Sequence, residues 1–232
     1  MKFNRLLLSS LLAVPFSFFA TSAQATPVNG QANIAGNVTV SATSINFSPT
    51  FVTTAGAMET GDFANLTGGS INSLSGGPQT GDTNVLKFVT FDKGVATPVY
   101  FDLTYIAPGV GTEAGCHSSA MGAECTPTGS PFTLFQLSSN TVIASLQLNG
   151  KSYTGSADTG SSYTTSIFST QTALNGTIPE IVSALSSGQT LTGITYSASF
   201  NATAAPEPAS LLLMGMGLVG AGLVARRKAV KS

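Results

Sequence analysis

Apolar and polar residues alternate over several stretches of the chain. Ile194, Tyr196, Ala198, Phe200 and Ala202 interleave with Thr195, Ser197, Ser199 and Asn201. Val99, Phe101, Leu103 and Tyr105 interleave with Tyr100, Asp102 and Thr104, and Val142, Ala144, Leu146 and Leu148 with Thr141, Ser145 and Gln147. Successive side chains of a strand point to opposite faces, so each run predicts a half-buried strand. Residues 85–91 are apolar on both faces and predict a more central strand. Residues 38–47, 132–137 and 162–170 are further strand candidates. Asn149-Gly150 suits a two-residue turn and predicts a hairpin joining 141–148 to 151–154.

One stretch carries the other period. Ile178, Ile181, Val182 and Leu185 recur at helical spacing, Thr177 and Glu180 fit a capping box, and Gly188 follows as a stop. Many short strands punctuated by Gly, Ser, Asn and Pro predict a mainly β domain. The expected form is a single antiparallel β-sandwich with this one short helix plugging one end. Gly-rich stretches at 54–84 and 107–131 are expected to be long connections, and 202–205 a short tether.

The two ends depart from this pattern. Lys2 and Arg5 precede an apolar run, and Ala23-Gln24-Ala25 places small residues where a signal peptidase reads. Residues 1–25 are therefore expected to be a signal peptide cut after Ala25. At the far end, residues 209–225 carry no charge and are followed by Arg226, Arg227, Lys228 and Lys231. As a helix they would rise about 25 Å, close to the roughly 30 Å of a bilayer core. A C-terminal transmembrane helix at 209–225 is expected, with the basic cluster as its cytoplasmic stop. The domain plan is 1–25 signal peptide, 26–205 β domain and 206–232 tail. Pro206-Glu207-Pro208 stands at the junction, where proline geometry favours an extended, accessible chain.

Charge alters the picture of the middle. Between residues 26 and 205, three lysines stand against nine carboxylates, a net charge of −6, with no arginine. That balance excludes nucleic acid as a partner. Cys116 and Cys125 are an even pair in an exported chain and are expected to form a disulfide. His117 is the only histidine, and its spacing with the cysteines is unlike the usual zinc patterns, so no metal is expected. Asp62, Asp82 and Asp92 lie in loop-like stretches without calcium-loop spacing. Asp158-Thr159-Gly160 spells half of an aspartic-protease dyad, but no second copy exists to share the proton. His117 has no nucleophile elbow to serve, and the chain has no Trp to stack on sugar rings. The expectation is a protein without enzymatic activity or cofactor.

The order Pro206-Glu207-Pro208, Ala209-Ser210-Leu211-Leu212-Leu213, a glycine-rich run and Arg226-Arg227-Lys228 resembles a PEP-CTERM sorting signal. The body, in stretches such as "CTPTGSPFTLFQL" and "ITYSASFNATAAPEPAS", resembles exported PEP-CTERM proteins of unassigned function. The resemblance implies signal peptidase and an exosortase as processing partners. The exosortase of this system is an integral-membrane cysteine transpeptidase of Gram-negative bacteria that make extracellular polysaccharide. It further implies a membrane-tethered stage through the C-terminal helix, then delivery to the envelope, surface or matrix. The expected role is structural or adhesive in exopolysaccharide or biofilm. The alternative is a carbohydrate- or calcium-binding surface module, and a secreted hydrolase ranks below both.

Overall fold

A computed structural model of the protein describes residues 27–53, 59–76, 80–155, 161–171, 174–204 and 215–219. The alternation at the end of the body forms the 13-residue strand β13 (Leu191–Thr203). Ile194, Tyr196, Ala198, Phe200 and Ala202 are all buried. β13 lies antiparallel between β1 (Gly30–Ser41) and β11 (Ser162–Thr170). From β1 the order continues through β3 (Thr50–Thr53), β4 (Gly68–Ile71), β6 (Gly81–Lys93), β7 (Val99–Ile106) and β10 (Thr141–Thr154). β10 then pairs with β11, and the sheet closes. The result is a closed barrel of 8 antiparallel strands.

The expected β-sandwich is thus corrected to a barrel. Alternation dictates which face of each strand is buried but not which strand lies beside which. A sheet curled on itself buries the same faces and leaves no edge. The seam lies between β7 and β10. Tyr100 faces Tyr153 and Val99 faces Thr154 there, and Ala107 donates its N–H to the Gln147 carbonyl at 3.0 Å.

The expected hairpin at Asn149-Gly150 is corrected by the same seam. Both residues lie inside the continuous 14-residue β10. A Cβ on Gly150 would collide with the Asp102 carbonyl and the Phe101 ring of β7. The glycine serves close approach of two strands, not a turn.

Other boundaries shift for local reasons. Residues 38–47 form a hairpin, in which Ser41 pairs with Ser44 of β2 (Ser44–Phe47). Pro49 has no N–H to give, and the chain breaks before resuming as β3. β5 (Leu74–Ser75) pairs with β2, and so continues the β3–β4 ladder beyond the break. The stretch 54–84, expected as a connection, therefore contains β4, β5 and the start of β6. Residues 85–91 are not buried on both faces. A bulge at Lys87 (φ 49) turns Phe88 and Val89 both inward and leaves Leu86 exposed. Ala202 and Thr203 belong to β13 rather than to a tether.

The barrel interior is packed chiefly with aromatic rings. The rings of Phe47, Phe51, Phe63, Phe88, Phe91, Phe101, Phe168, Tyr196 and Phe200 form one connected series with centroids 5.0–6.5 Å apart. Edge-to-face packing of this kind adds to the area term. Small residues take the facing positions: Ser152, Ser162, Thr164 and Ser166 are fully buried.

The strands' far mouth is covered. There α1 (Ile178–Ser186) packs with β9 (Thr133–Ser138) and with the 3₁₀ turn at Ala114–His117, while β8 (Glu124–Cys125) pairs with β9 and β12 (Leu174–Asn175) with β10. The capping box at Thr177 forms, with the Thr177 N–H donating to Glu180 Oε2 at 2.8 Å. Of residues 209–225, where a transmembrane helix was expected, the structure describes the helical residues 215–219 alone. No helix among the described residues is long and apolar enough to cross a membrane. Five helical residues rise only about 7.5 Å.

Candidate functional site

The two ends of the described barrel, the start of β1 and the end of β13, lie together at one rim. β13 runs paired on both sides up to its last residues, Ala202 opposite Gly30 and Thr164, and Thr203 opposite Tyr163. Pro206 lies three residues beyond Thr203, at most about 11 Å of extended chain. The chain enters at the same rim, where Pro27 bridges Tyr153. Pro206, Glu207, Pro208, Arg226, Arg227, Lys228, Ala23 and Ala25 themselves lie outside the described residues. So does Asp158 of the Asp-Thr-Gly triplet.

Cys116 and Cys125 are joined in a disulfide, Cα–Cα 4.7 Å. It ties a one-turn 3₁₀ helix (Ala114–His117) to β8 at the opposite, helix-covered mouth. His117 is exposed beside it. The acidic residues are not gathered: among the described residues, no three of His, Cys, Asp and Glu come together. Asp62 accepts from the Asn29 N–H at 2.7 Å and supports the entry rim. Asp102, 7% exposed, accepts from the Lys87 N–H at 2.6 Å and from the Tyr153 hydroxyl at 3.1 Å. It secures the β6 bulge and the seam. Lys87 Nζ lies 4.5 Å from the centre of the Tyr100 ring.

The outer surface is divided by charge. β11, β13, β1, β3 and β4 are consecutive staves, and none contains a charged residue. The charges within barrel strands are confined to β6 (Asp82, Lys87, Asp92, Lys93), β7 (Asp102) and β10 (Lys151). The neutral half presents hydroxyls and amides that bond to one another. Gln171 Nε2 donates to Ser197 Oγ at 2.6 Å and Gln31 Nε2 to Ser199 Oγ at 3.2 Å. Tyr163 and Ile167 stand out from this face, each 57% exposed. Such a polar exterior around an apolar interior is the inverse of a lipid-facing barrel.

Sequence reasoning placed the disulfide but missed this neutral half. Its signal was present, since residues 26–58 and 181–206 carry no charge. Only the barrel order puts β1 and β3, from the first run, beside β13, from the second.

Comparison with known proteins bears on the tail. No curated protein and no solved structure matches the chain. Residues 204–228 match the family model described as the PEP-CTERM protein-sorting motif. The match starts one residue after β13 ends and spans both Pro206-Glu207-Pro208 and the basic cluster. The chain thus carries a PEP-CTERM sorting motif, the mark of an exosortase substrate exported to the envelope or surface of a Gram-negative bacterium.

Proposed function

We propose that this protein is a non-enzymatic surface or matrix component whose barrel adheres to uncharged extracellular polysaccharide. The observation that carries the reading is the neutral half-barrel of β11, β13, β1, β3 and β4. A sugar polymer offers hydroxyls and C–H faces. The exposed Ser, Thr, Asn and Gln side chains match the first, and the Tyr163 ring matches the second. The absence of charge avoids desolvating ions on contact. The sorting motif supports delivery to the compartment where such a polymer lies.

The test is co-sedimentation of the secreted protein with the organism's purified polysaccharide. Binding insensitive to salt is expected, because no ion pairs are involved. Thr165→Lys with Ser199→Glu places charges on the face and should reduce binding at least tenfold. Lys151→Gln, on the charged side, should leave it unchanged. Binding that vanishes in high salt, or that survives the double substitution, would sink the proposal.

A further inference from the structure

The helix-covered mouth holds a cavity that the aromatic core does not fill. It has a volume of about 80 Å³ and lies beneath Ile181 and Leu185 of α1. Phe168 and Tyr196 form part of its floor and Phe132 part of its wall. Among the described residues, no charged one lines it. The void exceeds the space of one water and is about half the 150 Å³ apolar void that takes up benzene. A water there would lack its two to four polar partners, so the site favours carbon.

The cavity is not isolated. A cleft of about 230 Å³ lies between α1 and residues 127–132 and shares Val40, Phe132 and Leu185 with it. A second cleft of about 230 Å³ lies on the other flank of the helix and shares Ile181 and Ile194. Among the described residues, neither is lined by a charged one. The three voids adjoin through these shared lining residues, a passage beneath one helix that is apolar in the cavity and part polar in the clefts.

The helix is fastened at one end. Gln136 is fully buried. Its Oε1 accepts from the Ile178 N–H at 2.8 Å, and its Nε2 donates to the Ser138 carbonyl at 2.6 Å. This clips the first turn of α1 to β9. The second half, Val182 to Ser186, covers the passage by apolar contact, which yields more readily than the clipped turn.

We propose that α1 is the lid of a binding site for the unbranched aliphatic chain of a small uncharged amphiphile. The chain end occupies the cavity, the remaining methylenes follow the cleft beside residues 127–132, and the neutral head emerges among Ser130, Thr128 and Ser41. The small apolar cavity has no room for a rigid polycyclic ring system, and the clefts, without a charged residue among those described, disfavour a carboxylate or ammonium head. This site is independent of the polysaccharide face.

The experiment is calorimetric titration of the full chain with 1-alkanols from hexanol to dodecanol. Affinity should rise with each methylene and then level off when the passage is full. Ala144→Phe places a ring in the cavity and should weaken decanol binding at least tenfold. Ser130→Trp blocks the cleft from its mouth, where it cannot unfold the barrel, and should do the same. Decanoate should bind at least tenfold more weakly than decanol at pH 8. No heat of binding from any alkanol to the folded chain would overturn the proposal. Decanol binding unaffected by Ser130→Trp, or equal binding of decanoate, would overturn it as well.

Discussion

Single residues at the seam hold the barrel shut. Gly150 lets β7 and β10 approach until only a hydrogen fits between Gly150 and the Asp102 carbonyl. Asp102 then bonds the bulge at Lys87 and the Tyr153 hydroxyl. Removing the buried carboxylate strands the Lys87 N–H and takes one partner from the Tyr153 hydroxyl. Asp102→Ala should lower stability by about 2–3 kcal/mol, read from urea midpoints. Asp102→Asn keeps an oxygen for the Lys87 N–H and should cost less than half as much. Tyr196 is a different case. Its hydroxyl is buried with no hydrogen-bond partner among the described residues, and burial raises its pKa above the ordinary phenol value. The unfolded chain therefore loses this proton first. Stability should be independent of this group below about pH 10 and fall as pH rises beyond it. Tyr196→Phe should flatten that alkaline decline, and an unchanged decline in thermal melts at pH 9–11 would refute the assignment.

Elements differ in how openly the sequence announces them. β13, β11 and α1 were legible because their signals are local: strict alternation, and a cap three residues from its partner. Asn149-Gly150 misled because the same dipeptide serves a turn or a close approach, and only β7, nearly fifty residues upstream, decides between them. The bulge at Lys87 was illegible for the same reason, since its support is the distant Asp102. The disulfide belongs to this scale too. It closes a short loop that fastens the 3₁₀ turn to β8, and the chain-entropy estimate for such a loop is about 2–3 kcal/mol. Cys116→Ser with Cys125→Ser should lower the unfolding free energy by about that amount. Glu180→Ala, which removes half of the capping box, should cost about 1 kcal/mol.

At the scale of the molecule, the sandwich and the barrel bury the same alternating faces, so periodicity could not choose between them. Pair order does, and pair order also sets the charge-free strands β11, β13, β1, β3 and β4 side by side. The sorting motif was legible whole, being contiguous in the chain. One feature of the closed sheet reaches into mechanics. β1 begins and β13 ends at the same rim, as neighbours. Tension applied between those two ends would unzip the sheet one rung at a time. Tension between the tail and the outer face proposed to bind polysaccharide instead runs along β13 and shears all its rungs against β1 and β11 together. Force spectroscopy should therefore find the protein weak when pulled by its two ends. Held by the tail and the face, it should withstand several-fold more, as a strut whose strength depends on the direction of the load.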